Sequence, residues 1–200
     1  MLTSSVIALC LAIRKHYDST RRQLRRGDEI FAAVPCGPMA DPPRLDREAP
    51  TAVLMVGRSR GAGMHTLLWI QRLFPDSFRN FVFLSVGAVD TASYGGTDTL
   101  GGLQRDARTS WDYYVIFCHE QGLAAQSYEA YGIDRVQELT KLALRARAEL
   151  PNSVFFSGKL IFVRDNWFTR ILHNQTPLAM QRILHVQGLQ MVILPMKVDG

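Results

Sequence analysis

The sequence predicts an α/β protein: an open, mainly parallel five-stranded sheet with helices on both faces, preceded by an N-terminal helix. Three observations carry that prediction. Short apolar runs such as Thr51–Val56 and Phe81–Val86 lack polar alternation and stop at a glycine, as strands buried on both faces do. Segments with helical periodicity separate them. The composition, 47% apolar and 20% charged over 200 residues with 15 Gly and 9 Pro, suits about one globular domain.

Residues 1–13 are apolar and residues 14–26 are basic, the reverse of a secretory signal, where charge precedes the apolar core. An apolar run stopping at Arg14-Lys15 has the cytoplasmic flank of a membrane helix. Thirteen helical residues span about 20 Å of a hydrocarbon core of about 30 Å. The run therefore reads as the end of a spanning helix or as an interfacial anchor, with an amphipathic helix packed on the domain as the alternative. Tyr17, Leu24, Ile30 and Phe31 among basic residues carry a helix towards Ala33. Val34-Pro35-Cys36-Gly37-Pro38, with Pro42, Pro43 and Pro50, marks residues 34–50 as a Pro-rich linker. The α/β body then occupies residues 51–200.

Thr51–Val56 is the first strand. Met64–Leu73 is helical through Leu67, Leu68 and Ile70, and Phe81–Val86 is the second strand. A loop rich in Gly, Thr and Ser leads to a helix from about Asp98 to Gln121. Ala124–Tyr131 is the third strand, ended by Gly132, and Asp134 caps a helix through Leu150. Pro151 and Asn152 punctuate the chain before Val154–Phe156 opens the fourth strand. Trp167–Gln187 is helical; Pro177 either interrupts it or sits at its first position after a Thr176 cap. Met191–Leu194 is the fifth strand. Crossovers in such sheets are right-handed, and ligands bind at the carboxyl ends of the strands. Those ends carry Gly57–Gly63, Gly87–Gly96 and Ser157–Lys159.

Charge is concentrated rather than spread. The chain has 23 Lys+Arg against 18 Asp+Glu, a net of +5. Arg14, Lys15, Arg21, Arg22, Arg25 and Arg26, opposed by Asp18 alone, account for all of it. The body is neutral, so a nucleic-acid reading survives only for that basic segment as an arm, and no nucleic-acid partner is expected. Cys10, Cys36 and Cys118 are odd in number and far apart, so neither a disulfide framework nor a zinc site is expected.

Gly57-Arg58-Ser59-Arg60-Gly61 matches the G-x-S-x-G nucleophile elbow, with Asp165 and His173 or His185 in the chain order of a hydrolase triad. A hydrolase sheet has several strands before its nucleophile, and here the elbow follows the first. A serine esterase is therefore the remote alternative, and no catalytic residue is assigned. The same loop, through Gly63, can cradle an anion: glycines let amides approach it at a helix N-terminus, and Arg58 and Arg60 add charge. Gly87 and Ser157-Gly158-Lys159 sit at the ends of neighbouring strands and complete the candidate anion or nucleotide site. The loop is neither a Walker A motif nor G-x-G-x-x-G, since Thr66 stands where the last glycine belongs. Cys118-His119-Glu120 are adjacent on a helix and diverge by about 100° per residue, so they do not converge on a metal. His173 and Asn174 lie in an apolar stretch and read as buried hydrogen-bonded groups.

Thr51–Gly57, Gly63-Met64-His65-Thr66-Leu67-Leu68, Leu73-Phe74-Pro75 and Asn80–Gly87 together resemble the cytosolic C-terminal domain of bacterial amino acid–polyamine–organocation (APC) superfamily permeases. Phe155–Leu160, Leu172–Thr176 and Gly188–Pro195 continue the resemblance, which covers nearly the whole chain. It implies a fold similar to the universal stress proteins, with residues 1–33 similar to the end of the last membrane helix and its basic extension. It further implies a non-catalytic regulatory or structural domain at the cytoplasmic face of the bacterial inner membrane, not transport-competent alone. Residues 1–26 would contact the permease or the membrane, and a homodimer is a further arrangement to test. A free-standing nucleotide-binding stress-type protein is the alternative, a nucleotide being the only cofactor considered. The stress proteins' glycine-rich nucleotide signature is matched here only at Ser157 and Gly158.

Overall fold

A computed structural model describes residues 7, 11, 28–29, 39–57, 59–88, 112–162 and 176–198. Five strands, β1 (Thr51–Val56), β2 (Asn80–Ala88), β3 (Ala124–Gly132), β4 (Ser153–Phe162) and β5 (Met191–Val198), form one sheet in the order β3-β2-β1-β4-β5. Every neighbouring pair is parallel. Between them lie α1 (Arg60–Leu73), the helical residues 112–120 (α2), α3 (Arg135–Glu149) and α4 (Thr176–Val186).

The two faces of the sheet bury different residues, as the two-residue period of a strand requires. Ala52, Leu54 and Val56 of β1 and Phe156 of β4 pack with Met64, Leu67 and Ile70 of α1 and Tyr114 and Cys118 of α2. Val53 and Phe155 point the other way, against Leu139, Leu142 and Ala146 of α3 and Met180 and Leu184 of α4. The chain builds outward from β1 to β2 to β3 with α1 and α2 on one face. It then returns through α3 on the other face to β4. The strand order reverses between β1 and β4, and that reversal places the cleft described below.

The Pro-rich stretch is fastened to the body at its end. Asn80 Nδ2 donates to the Asp46 carbonyl at 2.6 Å and to Thr51 Oγ1 at 3.0 Å, and Asp46 N–H donates to Asn80 Oδ1 at 3.2 Å. Asn152 Nδ2 holds the Glu48 carbonyl at 2.8 Å. Asn80 is almost fully buried, and its amide, using both donors and its oxygen, forms a bracket between the incoming chain and the start of the central strand β1.

Several boundaries differ from the sequence reading. The first helix starts at Arg60 rather than Met64, because Ser59 caps it: its hydroxyl accepts from Ala62 N–H at 3.2 Å. Ser157-Gly158-Lys159 are not a loop after the fourth strand. They lie inside β4, opposite Ile193, Leu194 and Pro195 of a β5 that is also longer than read. Pro195 is accommodated because β5 is an edge strand, where a missing N–H need not leave a neighbour unpaired. Asp134 caps α3 as expected, accepting from Val136 and Gln137 N–H. Pro177 falls in the first turn of α4, and residues 163–175, including Asp165 and His173, lie outside the described residues. Most of residues 1–33 and of the helix expected from Asp98 also lies outside them. Among the described residues no helix is long and apolar enough to cross a membrane.

Candidate functional site

At the reversal point the carboxyl ends of β1 and β4 part and leave a cleft of about 280 Å³. Its wall is made by Gly57 and Ser59 after β1, Gly63 and Thr66 of α1, Ser157 and Gly158 of β4, Arg135 of α3 and Thr176 of α4. The sequence-predicted Gly57, Ser59, Gly63, Ser157 and Gly158 therefore converge, from segments about 100 residues apart.

Close approach of α1 to β4 depends on Gly158. A Cβ there would stand 2.7 Å from Thr66 Oγ1, inside van der Waals contact. Gly63 has the same role towards α2: the Tyr114 ring occupies the space a side chain would need, with Cζ at 2.5 Å from an added Cβ. Tyr114 is fully buried, and its single hydroxyl hydrogen is shared between the carbonyls of Ser59 (3.3 Å) and Arg60 (3.2 Å). It thereby braces the first turn of α1 from below. Burial, reinforced by the Asp28 carboxylate and eased by Arg60, raises the phenol's pKa and keeps it neutral.

The other predicted residues are placed elsewhere. The Arg60 guanidinium lies over the Tyr113 ring, 4.4 Å from its centroid, rather than in the cleft wall. Gly61 turns its N–H towards Asp28. Gly87 makes room for the Tyr131 ring on β3, and Lys159 sits within β4 beside Pro195. Arg58 lies outside the described residues. Two residues that sequence reasoning passed over matter more. Arg135 is half-buried in the cleft wall at the first position of a helix, where the dipole disfavours a cation. Asp28 accepts from Ser59 Oγ at 2.9 Å and from Gly61 N–H at 2.6 Å.

The structure has a universal-stress-protein-like fold. It is similar to a solved protein of the universal stress protein family from Burkholderia pseudomallei, with a TM-score of 0.50 and 15% identity, covering 74% of this chain and 97% of that one. At that identity the likeness concerns the fold alone. No protein-family model matches the chain, and no curated protein matches it.

Within this stress-protein-like frame the elbow motif acquires a structural account. Ser59 Oγ is engaged as the cap of α1 and as a donor to Asp28. His185 lies in the last turn of α4, and α4 runs back towards the amino ends of the parallel strands, the opposite end of the sheet from Ser59. Cys118, His119 and Glu120 also separate. Cys118 is enclosed in the core, and burial pushes its thiol up to about 12. His119 Nε2 is bonded with the Ala125 carbonyl at 3.1 Å. His65 is bound within α1: Trp69 Nε1 donates to its Nε2 at 2.9 Å, and burial lowers its pKa.

Proposed function

We propose that the chain is a non-catalytic regulatory domain of universal-stress-protein-like fold that attaches through its N-terminal segment to the membrane part of an APC-type permease. The observation that carries the reading is at residues 7 and 11. Ile7 and Leu11 are helical, share one face at a spacing of four, and are 61% and 59% exposed. Two large apolar side chains left exposed, followed in the sequence by the basic residues of 14–26, suit attachment to an anionic bilayer or a membrane helix. Regulation from such a domain requires it to contact one state of the transporter better than another.

Vesicle flotation tests the attachment. The full chain is expected to float with vesicles containing phosphatidylglycerol, and the double variant Ile7→Asp/Leu11→Asp to stay at the bottom. Each apolar side chain contributes about 1.5–3 kcal/mol when buried, so partition should fall more than tenfold. A chain that fails to float, or a double variant that floats equally, overturns the membrane-attached reading.

A second reading, a free-standing nucleotide-binding protein, is favoured by Arg135 in the cleft wall. A cavity of about 280 Å³ is just below the range that encloses a drug-sized ligand, so it suits the phosphate chain of a nucleotide better than the whole molecule. Calorimetric titration with ATP checks this. Arg135→Ala is expected to weaken binding at least about tenfold, the loss of a charge-assisted hydrogen bond. Equal affinities would remove Arg135 from the site.

A further inference from the structure

Two groups in the cleft wall cost the fold stability while the cleft is empty. The first is the Ser157 hydroxyl. Ser157 is 6% exposed and lies in the interior strand β4, with β1 and β5 on either side. Its one hydrogen-bond contact is with the adjoining Gly158 carbonyl at 3.5 Å. That is beyond the ~2.5–3.0 Å of an effective O–H···O bond, and a buried hydroxyl without a partner opposes folding. The alternation of β4 sets its direction. Gly158, like Phe156, faces α1, so Ser157, like Phe155, faces α3 and α4. The second group is Arg135, at the first position of α3, where the helix dipole disfavours a cation. It stands one turn before Leu139, which α3 packs on that same side of the sheet. Among the described residues its side chain has no ion pair and no hydrogen bond.

We propose that the cleft takes a small monocarboxylic acid with an apolar body, its carboxylate pairing with the Arg135 guanidinium and accepting from the Ser157 hydroxyl. A carboxylate only accepts, and these two groups only lack acceptors. The α1 side of the cleft offers no such vacancy, because Asp28 already takes the Ser59 hydroxyl and the Gly61 amide. Charge selects the class of ligand. Arg135 is the only charged residue in the described wall, so it balances one negative charge and not the several of a nucleotide. No acid stands in that wall to receive an ammonium group, so an amino acid fits worse than the same acid without its amine. The hydrocarbon body has apolar neighbours in Leu139, Pro177 and Met55, the last paired in register with Ser157. A volume of about 280 Å³ holds roughly nine non-hydrogen atoms at about 30 Å³ each, the share of one water in the liquid. The proposal is independent of the membrane attachment and competes with the nucleotide reading for Arg135.

Calorimetry on the full chain tests it with four probes: hexanoate, norleucine (the same acid with an α-amino group), hexan-1-ol and ATP. Hexanoate is expected to bind saturably, and at least about tenfold more tightly than norleucine or hexanol. Arg135→Ala and Ser157→Ala are each expected to weaken hexanoate at least about tenfold, the loss of a hydrogen bond to a charged group. Without ligand, both variants are expected to melt no lower than the unmodified chain, since each removes a group that opposes folding. The melting temperatures therefore separate lost binding from lost structure.

Hexanol or norleucine bound as tightly as hexanoate overturns the carboxylate assignment. So does hexanoate bound equally by all three chains, or a variant that melts well below the unmodified chain, which would show a structural partner for the group removed. Binding of ATP without hexanoate overturns the proposal and leaves the nucleotide reading standing. Binding of neither overturns both.

Discussion

Phe156→Ala is expected to cost about 3–5 kcal/mol of folding stability, the range for truncating a buried aromatic. Phe156 is fully buried in the interior strand β4, paired in register with Leu54 of β1 and Val192 of β5. Its ring meets Phe78 edge-on at 5.5 Å between centroids and Phe74 at 6.0 Å. These aromatic contacts add about 0.5–1.5 kcal/mol each beyond the area they bury. Its own strand β4 is held on both sides, by β1 and β5, and has little freedom to collapse into the void. Against a total stability of about 5–15 kcal/mol, the change removes a large fraction. Urea unfolding followed by far-ultraviolet circular dichroism measures it from the midpoint at constant slope. A loss below about 1.5 kcal/mol would mean that this face is not the packed core described.

Gly63→Ala is expected to destabilise the protein by about 2 kcal/mol, although the same change in an exposed helix interior gains about 1 kcal/mol from helix propensity. Sterics decide the sign. The added methyl would stand 2.5 Å from Tyr114 Cζ and 2.7 Å from Cε1. Tyr114 has nowhere to go: it stacks on Phe83 at 5.1 Å and is held edge-on by Tyr113. Overpacking of this kind costs about 1–3 kcal/mol, and the near-coincident ring atoms put it at the upper end. In a Tyr114→Leu background the ring is gone, and Gly63→Ala is expected to become neutral or stabilising. Thermal denaturation of the four chains of this double-mutant cycle tests it; a destabilisation that persists without the ring would refute the steric account. The functional corollary is that α1 is seated by Tyr114, so a shift there carries Ser59 and Gly61 away from Asp28.

Strand β1 was legible to the residue because an unbroken apolar run met a glycine. Strands β4 and β5 were read short because Ser157-Gly158-Lys159 and Pro195 have loop chemistry. What keeps them extended is pairing between segments 36 residues apart, which no local pattern records. The early start of α1 was hidden for a related reason. Gly61 and Gly63 are poor helix formers, and the need for glycine at 63 comes from the Tyr114 ring that fills the space beside it. Five of the candidate site residues did converge on the cleft, since strand ends at a reversal point follow from topology. Arg135 and Asp28 were not legible, because their relevance comes from tertiary placement. The one available hint was a cation at the start of a helix, directly after its Asp134 cap.

The proline in β5 bears on whether one copy of the chain can add a strand to another. The outer rim of an edge strand is a template on which another chain can lay a strand of its own. Pro195 lies in the middle of that rim, between Met191 and Val198. An incoming strand would lose a donor there and could run an unbroken ladder only on one side or the other, over a few residues. Replacing Pro195 by a residue with an N–H would restore a continuous row of donors, and with it a route to edge-to-edge aggregation.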